Sequence, residues 1–567
     1  KKIFQELNSK DITSLLENYH IHNLKSKFVF RNGKIEVEKS SINFKDKGSV
    51  YTPKRIANEI TKKTIDNKLR QNINPRKLKI LDFGSGTGVF YFSALNYLSK
   101  KLKLNKKEII ANNLYAIDID SLALDILKIK LYILFKKETI ADLKNISKNI
   151  VNKNMLIDNT SFSNPIDYKK GFKEAMDNRG FDVILSNPPY FLLKVNKKSL
   201  NDQNLKIYNK KLKQRVENEL EFFRNSEDYV YSIEGMLNYY KLSIERMLKI
   251  ARENAELGII CPSTLFADIS SKELRKHIIL NNKLREINYF PESEKIFSDI
   301  TQSTVIIYVM KGEKTDEIKI KFDGENFIVS LDLIKKAFPV AYEIPYIDSV
   351  GWGILDKISN NKKLADMPHI RNKRGELDLT LYKKMITKQN TGWRLVRGNM
   401  ISKDSIIDKN EEFVIIDDFL QNKTKEFLDN DFRKERLICQ QVSNMGQKKR
   451  LNFVICKSTD ILANSCNYIT ANESDRDSLH KLLNSYLLNW RFKITSSNNH
   501  INNYELGELP IISLEKLQKI NGNSLKKNVR ICKAYGLNEK EVIYILNPFF
   551  EIGDINEEIL NEDIQSH

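Results

Sequence analysis

The spacing of hydrophobic and polar positions changes along this chain, and the changes divide it into regions. The first 45 or so residues join a short helical pattern, Ile12 to Tyr19, to two alternating runs within Phe28–Val37 that meet at Asn32-Gly33. Asn-Gly accepts the positive φ values of a two-residue turn, so this stretch predicts a β-hairpin. From Ser49 to about Lys311, short apolar runs alternate with longer amphipathic ones. Leu78–Phe83, Asn113–Ile119, Asn154–Ile157, Phe181–Leu185, Leu257–Cys261, Leu284–Tyr289 and Thr304–Met310 predict strands. Ile56–Arg70, Val89–Leu104, Ser121–Lys137 and Leu237–Ala251 carry apolar residues at helical spacing. Strands separated by helices of this length predict an α/β fold with a doubly wound, mostly parallel sheet. Thr304–Met310 is almost continuously apolar, the pattern of a strand covered on both faces.

The texture changes near residue 345. A Gly/Pro-marked stretch, Pro345 to Gly353, opens a region of short strands, polar turns and few long helices. The expected boundaries are an N-terminal extension (1–45), a sheet domain (46–345), a mixed α/β domain (346–530) and a tail (531–567). A length of 567 residues agrees with two to four domains at about 150 residues each.

Charge adds a partner to this picture. Lys+Arg total 93 against 73 Asp+Glu, a net charge of +20, which excludes an acidic solvating protein and favours a polyanionic partner. An AT-rich genome, which enriches Lys, Asn and Ile, would produce the same excess without such a partner. The basic stretch Lys194–Arg215, with Lys197, Lys198, Lys206, Lys210, Lys211 and Lys213, reads either as a solvated helix face or as a polyanion contact. Cys261, Cys439, Cys456, Cys466 and Cys532 lie far apart without a C-x-x-C pair, so free thiols in a reducing compartment are expected and no zinc knuckle. No run of about 18 apolar residues predicts a membrane span. The chain opens Lys-Lys-Ile-Phe without a signal-peptide pattern, and a cytoplasmic protein is expected.

Three segments carry candidate chemistry. In Leu78-Lys-Ile-Leu-Asp-Phe-Gly-Ser-Gly-Thr-Gly-Val-Phe90 a strand reaches Asp82, then a turn with Gly84, Gly86 and Gly88, then a helix. Glycines let backbone approach a ligand at the carboxyl end of a strand. The spacing G-x-G-x-G is neither the pyrophosphate fingerprint nor a P-loop. An acid before the glycines suits a cationic group such as the amino group of a methionine moiety; a tight turn with no ligand is the plain alternative. In Leu114-Tyr-Ala-Ile-Asp-Ile-Asp120, Asp118 is placed to hydrogen-bond both hydroxyls of a ribose, with Ile119 against the base. Asp120 is expected to cap the next helix. Asp158 could accept from the amino group of the same base, or serve only as a turn residue.

The third segment is Phe181-Asp-Val-Ile-Leu-Ser-Asn-Pro-Pro-Tyr190. A buried strand ends in Asn187-Pro188-Pro189-Tyr190, and the two prolines fix φ and present carbonyls. The Asn187 side-chain oxygen and the Pro188 carbonyl can accept both hydrogens of a planar amino group. That draws the nitrogen from its conjugated state toward a pyramidal one with an exposed lone pair, the kind of differential stabilisation catalysis needs. Tyr190 offers a stacking face for the ring bearing the amino group. A strand-terminating turn by chance is the plain alternative, and its order after the two nucleoside-type segments weighs against it.

Together, Tyr51-Thr52-Pro53, Asp82–Phe90, Asp118, Asp158 and Asn187–Tyr190 resemble the gamma-class adenine-N6 DNA methyltransferases of bacterial restriction–modification systems. The resemblance covers about residues 46 to 345 well and the C-terminal half more loosely. Gly258–Phe266 and Glu294–Val305 resemble later motifs of the class, and within the second Phe297 matches the aromatic set against a flipped adenine; otherwise it reads as a core residue. Leu395–Met400, Arg436–Gln441, Leu482–Tyr486 and Asn499–Pro510 are similar to the recognition domain of the class. Near Gly235–Leu237 the usual Asp/Asn-Leu-Tyr is missing.

The resemblance implies a Rossmann-like, seven-stranded methyltransferase domain followed by a target recognition domain, the two forming a basic cleft for double-stranded DNA. It implies S-adenosylmethionine as methyl donor, no metal and a flipped adenine; a cognate endonuclease, if one exists, is expected on a separate polypeptide. Asn187, Pro188, Pro189, Tyr190 and Phe297 would be catalytic. Tyr51, Thr52, Pro53, Asp82, Gly84, Gly86, Gly88, Asp118, Ile119 and Asp158 would bind the cofactor. A bacterial, nucleoid-associated location would follow. An RNA adenine or a protein-glutamine methyltransferase uses the same Asn-Pro-Pro-Tyr logic, and a specificity subunit with a decayed active site is the non-enzymatic alternative.

Overall fold

The computed structural model describes residues 16–17, 20, 26–31, 34–39, 51–135, 145–194, 203–294, 302–407, 411–496, 498–555 and 559–560. The chain forms two compact units, Lys1–Leu331 and Asp332–His567. The expected N-terminal hairpin is present: Ser26–Arg31 pairs antiparallel with Lys34–Lys39, with Arg31 opposite Lys34.

The first unit is built on nine strands: β1 (Ile80–Phe83), β2 (Leu114–Asp118), β3 (Ile150–Asn152), β4 (Phe181–Ser186), β5 (Ala251–Pro262), β6 (Asn282–Phe290), β7 (Thr304–Lys311), β8 (Glu317–Phe322) and β9 (Glu325–Ser330). They lie in the order β9-β8-β6-β7-β5-β4-β1-β2-β3. β1 to β5 run parallel, and β7 is antiparallel to both neighbours. The seven-stranded methyltransferase-type sheet expected from the sequence is therefore present and is extended by the β8–β9 hairpin, where Lys319–Lys321 pairs with Glu286–Asn288. Three helices matter for the site: α1 (Lys54–Leu69), α2 (Val89–Lys101) and α3 (Ser121–Leu134). Their apolar stripes (Ile56 and Ile60; Phe90, Ala94 and Leu98; Leu124, Leu127 and Leu131) are buried with Ile80, Ala116, Val183 and Ile306 of the sheet in one core. α1 approaches β5 so closely that a Cβ at Gly258 would sit 2.1 Å from Thr64 Oγ1.

One strand differs from expectation. Asn154–Ile157 does not form β3, which is Ile150–Asn152 instead; Asn154 makes a single bridge to Pro165. Met155, Leu156 and Ile157 are buried as the apolar run requires. The Leu156 carbonyl, however, accepts from the Tyr229 hydroxyl (2.5 Å) and the Arg246 guanidinium (3.2 Å) rather than from a neighbouring strand. At Leu156 side chains take the place of a ladder, while Asn154 and Ile157 bond the backbone of Asn164 and Ile166. Two further helices complete this unit's site, α4 (Gln203–Asn225) and α5 (Tyr239–Ile250).

The second unit has a four-stranded antiparallel sheet of β10 (Arg371–Arg374), β11 (Arg436–Gln440), β12 (Val454–Cys456) and β13 (Cys466–Thr470), in the order β10-β13-β11-β12. Shorter strand pairs and helices surround it, among them Glu473–Leu483 and Ser524–Ala534. All five cysteines are buried free thiols. Among the described residues, no helix is long and apolar enough to cross a membrane and no cluster of His, Cys, Asp and Glu could hold a metal.

Candidate functional site

The carboxyl ends of β1, β2 and β4 open on one cavity of about 490 Å³. That is where an open parallel sheet offers backbone ends that its own helices do not cover. At the end of β1 the chain turns through Gly84, Gly86 and Gly88, all at positive φ (72°, 51° and 85°). Two of these glycines are required for distinct reasons. A Cβ on Gly88 would lie 2.8 Å from Leu127 Cδ1, so Leu127 of α3 would have to give way. A Cβ on Gly86 would meet nothing within 4 Å, so there only the backbone conformation demands glycine.

Two aspartates, Asp82 buried and Asp118 half-buried, stand at this turn and behave differently. Asp118, at the end of β2, lines the cavity. Its Oδ2 accepts the Gly86 N–H (2.7 Å) and its Oδ1 the Asp120 N–H (2.8 Å). Burial raises its pKa, and these two N–H donors oppose the rise. Asp82 lies behind the turn and does not line the cavity. Its Oδ2 accepts the Tyr91 N–H at 2.9 Å, while Oδ1 is buried without a partner among the described residues. Its pKa stands well above the ordinary value, chiefly through burial. Asp82 thus holds the start of α2 under the turn, and Asp118 faces the space in front of it.

Ile119 follows on the rim, 48% exposed, and Asp120 caps α3 by accepting the Leu122 and Ala123 N–H groups, as expected. Asp120 Oδ2 also lies 3.3 Å from Nε2 of His20, whose Nδ1 bonds the Tyr51 hydroxyl. On the opposite side β4 delivers Asn187. Its Nδ2 donates to Thr52 Oγ1 at 3.0 Å, which orients the amide with its nitrogen toward Thr52. Ser186 anchors the strand end below, its hydroxyl donating to the Phe83 carbonyl at 2.7 Å. The Tyr190 hydroxyl donates to the Ile260 carbonyl (3.4 Å), and burial holds its pKa well above the ordinary range.

The cavity therefore gathers Tyr51, Thr52, Gly84, Gly86, Asp118, Ile119, Asn187 and Pro189 from distant parts of the sequence. Pro53, Asp82, Gly88, Pro188, Tyr190 and Asp158 are not in its lining. Asp158 is half-exposed and lies 3.7 Å from the Arg246 guanidinium. Phe297 lies outside the described residues. The cavity also includes residues that pattern reading missed: His20, Met155, Phe191, Arg215, Glu219 and Tyr239. One of these had a signal. The expected Asp/Asn-Leu-Tyr, sought near Gly235–Leu237, has a counterpart one step on in Asn238-Tyr239-Tyr240, where Asn238 caps α5 and Tyr239 enters the cavity. Arg215 and Glu219 had none, because α4 reads as a charged surface helix until its partner is known.

Comparison with known proteins adds two matches. Residues 112–297 match the Eco57I restriction-modification methylase family, and residues 394–511 match the TaqI-like C-terminal specificity domain. The type II restriction enzyme and methyltransferase RM.Eco57I of Escherichia coli is 27% identical over 370 residues, 59% of this chain and 34% of that protein. The type II methyltransferase M.HincII of Haemophilus influenzae is 30% identical over 199 residues, 34% of each chain. The chain spans about a third of the length of these curated relatives. Among solved structures, the type IIG restriction endonuclease BpuSI aligns with a TM-score of 0.44 and 14% identity, covering 94% of this chain and 68% of that one.

Proposed function

We propose that this chain, which carries an Eco57I-like restriction-modification methylase domain and a TaqI-like C-terminal specificity domain, is a site-specific DNA methyltransferase. It transfers a methyl group to the N6 amino group of adenine in duplex DNA, as the modification activity of a type II restriction–modification system. The observation that carries this reading is the meeting of Asn187 and Pro189 with Asp118 and the glycine turn in one cavity.

The lining fits S-adenosylmethionine as methyl donor. Its volume lies within the roughly 300–1,000 Å³ of small-molecule sites. Asp118 offers a carboxylate to paired ribose hydroxyls, Ile119, Met155 and Pro189 offer apolar surface to a purine, and the turn offers backbone. When bound, that cofactor supplies an electrophilic methyl group on a sulfonium.

The remaining steps belong to the chain. Thr52 holds the Asn187 amide so that its oxygen is the acceptor end. That oxygen and the Pro188 carbonyl take both hydrogens of the adenine amino group, whose nitrogen then presents its lone pair to the methyl carbon. Both acceptors are preorganised, because the two prolines fix φ and Ser186 ties down the strand end, so little reorganisation accompanies charge development. A stacked adenine cannot bring its amino group into such a cavity, so the base leaves the helix, with Tyr190 and Phe297 as the faces that receive it. Asp158 is proposed to accept from the cofactor's adenine. No step calls for a metal.

The specificity-domain match over residues 394–511 supports DNA over a glutamine side chain or RNA. The partner that follows is duplex DNA, in the bacterial cytoplasm and at the nucleoid. Expression in a methylation-free host followed by long-read sequencing tests the reading. N6-methyladenine at one recurring sequence is expected. Unmodified DNA, or modification confined to cytosine, would overturn it.

A further inference from the structure

The wall of the cavity that α4 supplies contains a buried anion with a defined task. Glu219 is 3% exposed. Its Oε1 accepts Arg215 Nε at 2.8 Å and its Oε2 accepts the Tyr239 hydroxyl. All three residues line the cavity. A buried carboxylate is costly unless donors replace its water, and this one is met by one charged and one neutral donor.

Tyr239 connects that anion to the loop bearing Asn187. Its backbone N–H donates to the Phe191 carbonyl at 2.9 Å, and the Leu193 N–H donates to the Leu237 carbonyl at 2.9 Å. Leu192 and Asn238 form an antiparallel bridge, and the Phe191 and Tyr239 rings lie 5.5 Å apart. The segment just beyond Asn187–Tyr190 is thus zipped to the start of α5 by a short pairing. Only Pro188, Pro189 and Tyr190 separate Asn187 from Phe191, and two of their φ angles are locked, so a shift at Phe191 is transmitted to Asn187 with little slack.

We infer that Glu219 is a positioning residue for the Asn187–Tyr190 loop, acting through the hydroxyl of Tyr239. The helix of the basic insert is then part of the active-site framework as well as a charged outer face. The inference rests on the proposed methyltransferase reading only for its activity readout.

Glu219→Ala and Tyr239→Phe should each lower the single-turnover methylation rate by about tenfold, the equivalent of one charge-assisted hydrogen bond. The double variant should be no slower than the slower single one, because both remove the same bond. Glu219→Gln, whose amide oxygen still accepts the hydroxyl, should recover most of the rate, which a general loss of packing would not allow. In the protein without cofactor or DNA, hydrogen exchange at the Leu193 and Tyr239 amides should accelerate in Tyr239→Phe and Glu219→Ala. Glu217→Ala, on the exposed side of the same helix and paired with Lys213 at 3.6 Å, should leave both readouts unchanged. Additive rate losses, or wild-type exchange at those two amides in folded Glu219→Ala, would overturn the inference. If the wild-type protein methylates nothing, the functional reading fails by itself and the exchange measurement still decides this one.

Discussion

A half-buried carboxylate at the cavity of the first unit and three with buried side chains in the second unit are held in opposite ways. The three in the second unit face guanidinium groups, as Glu256 does with Arg285 in the first. Glu376 and Arg436 make two bonds of 3.1 Å, with side chains 4% and 2% exposed, and Glu376 also accepts the Leu462 N–H. Asp460 takes Arg394 at 2.9 Å through both oxygens, and Asp431 takes Arg371. In the first unit Asp118 has no such cation and is held by backbone N–H groups at the edge of a cavity. A carboxylate closed by a bidentate arginine has little left to offer a ligand. One held by two N–H donors retains lone pairs facing open space. What a carboxylate can offer a ligand is set by its partners.

The first way to break this comparison exchanges a whole region. Replacing residues 346–530 by those of a relative with another target should move the methylated sequence completely, since base-edge contacts carry specificity. Long-read sequencing would show it, and an unchanged site would remove recognition from the second unit.

The second way is Asn187→Ala. Loss of a preorganised acceptor should lower the single-turnover rate by about 10²–10³-fold. Calorimetry should find cofactor affinity nearly intact, because the amide is proposed to serve the target base. A rate above a tenth of wild type would end the acceptor role.

Glu376→Ala should cost about 3–5 kcal/mol, because Arg436 would remain buried without its anion. Hydrogen exchange should rise across β10 to β13 while β1 to β5 keep their protection. An equal loss in both would show that the two units unfold as one.

The smallest effect is Asp118→Ala, which should weaken cofactor binding by about 1.5–3 kcal/mol per hydrogen bond lost. Its pH dependence sharpens the contrast. Burial raises the Asp118 pKa, so on acidification its carboxylate is lost above the ordinary aspartate value of about 3.9. Cofactor affinity should therefore fall with pH from above that value, and the fall should disappear in Asp118→Asn. Folding stability runs the other way: the contribution of a raised acid is present at low pH and is lost as pH rises through the folded-state value.

Much of the first unit was legible because its signals are local. The alternation of strand and helix, the glycines at 84, 86 and 88, the cap at Asp120 and the Asn-Pro-Pro-Tyr turn each depend on a few neighbouring residues. The β8–β9 extension was passed over although Glu317–Phe322 alternates charged and apolar residues, because it lies outside the strand–helix rhythm by which the sheet was read. Asn154–Ile157 misled because a buried apolar run has the same appearance whether a neighbouring strand or, as at Leu156, the Tyr229 and Arg246 side chains meet its carbonyls.

By itself, the amino-acid order determined the sheet, the turn geometry and the residue types at the strand ends, since periodicity and φ preference act within a few bonds. Only the tertiary structure decided which of those residues share a cavity. It set Asp82 behind the turn and Asp118 in front, brought Thr52 against Asn187, drew in His20 from the N-terminal extension, and folded Glu219 of a charged helix inward onto Tyr239. Those placements follow from which surfaces close against each other, and the cost of burying a charge without a donor selects among them.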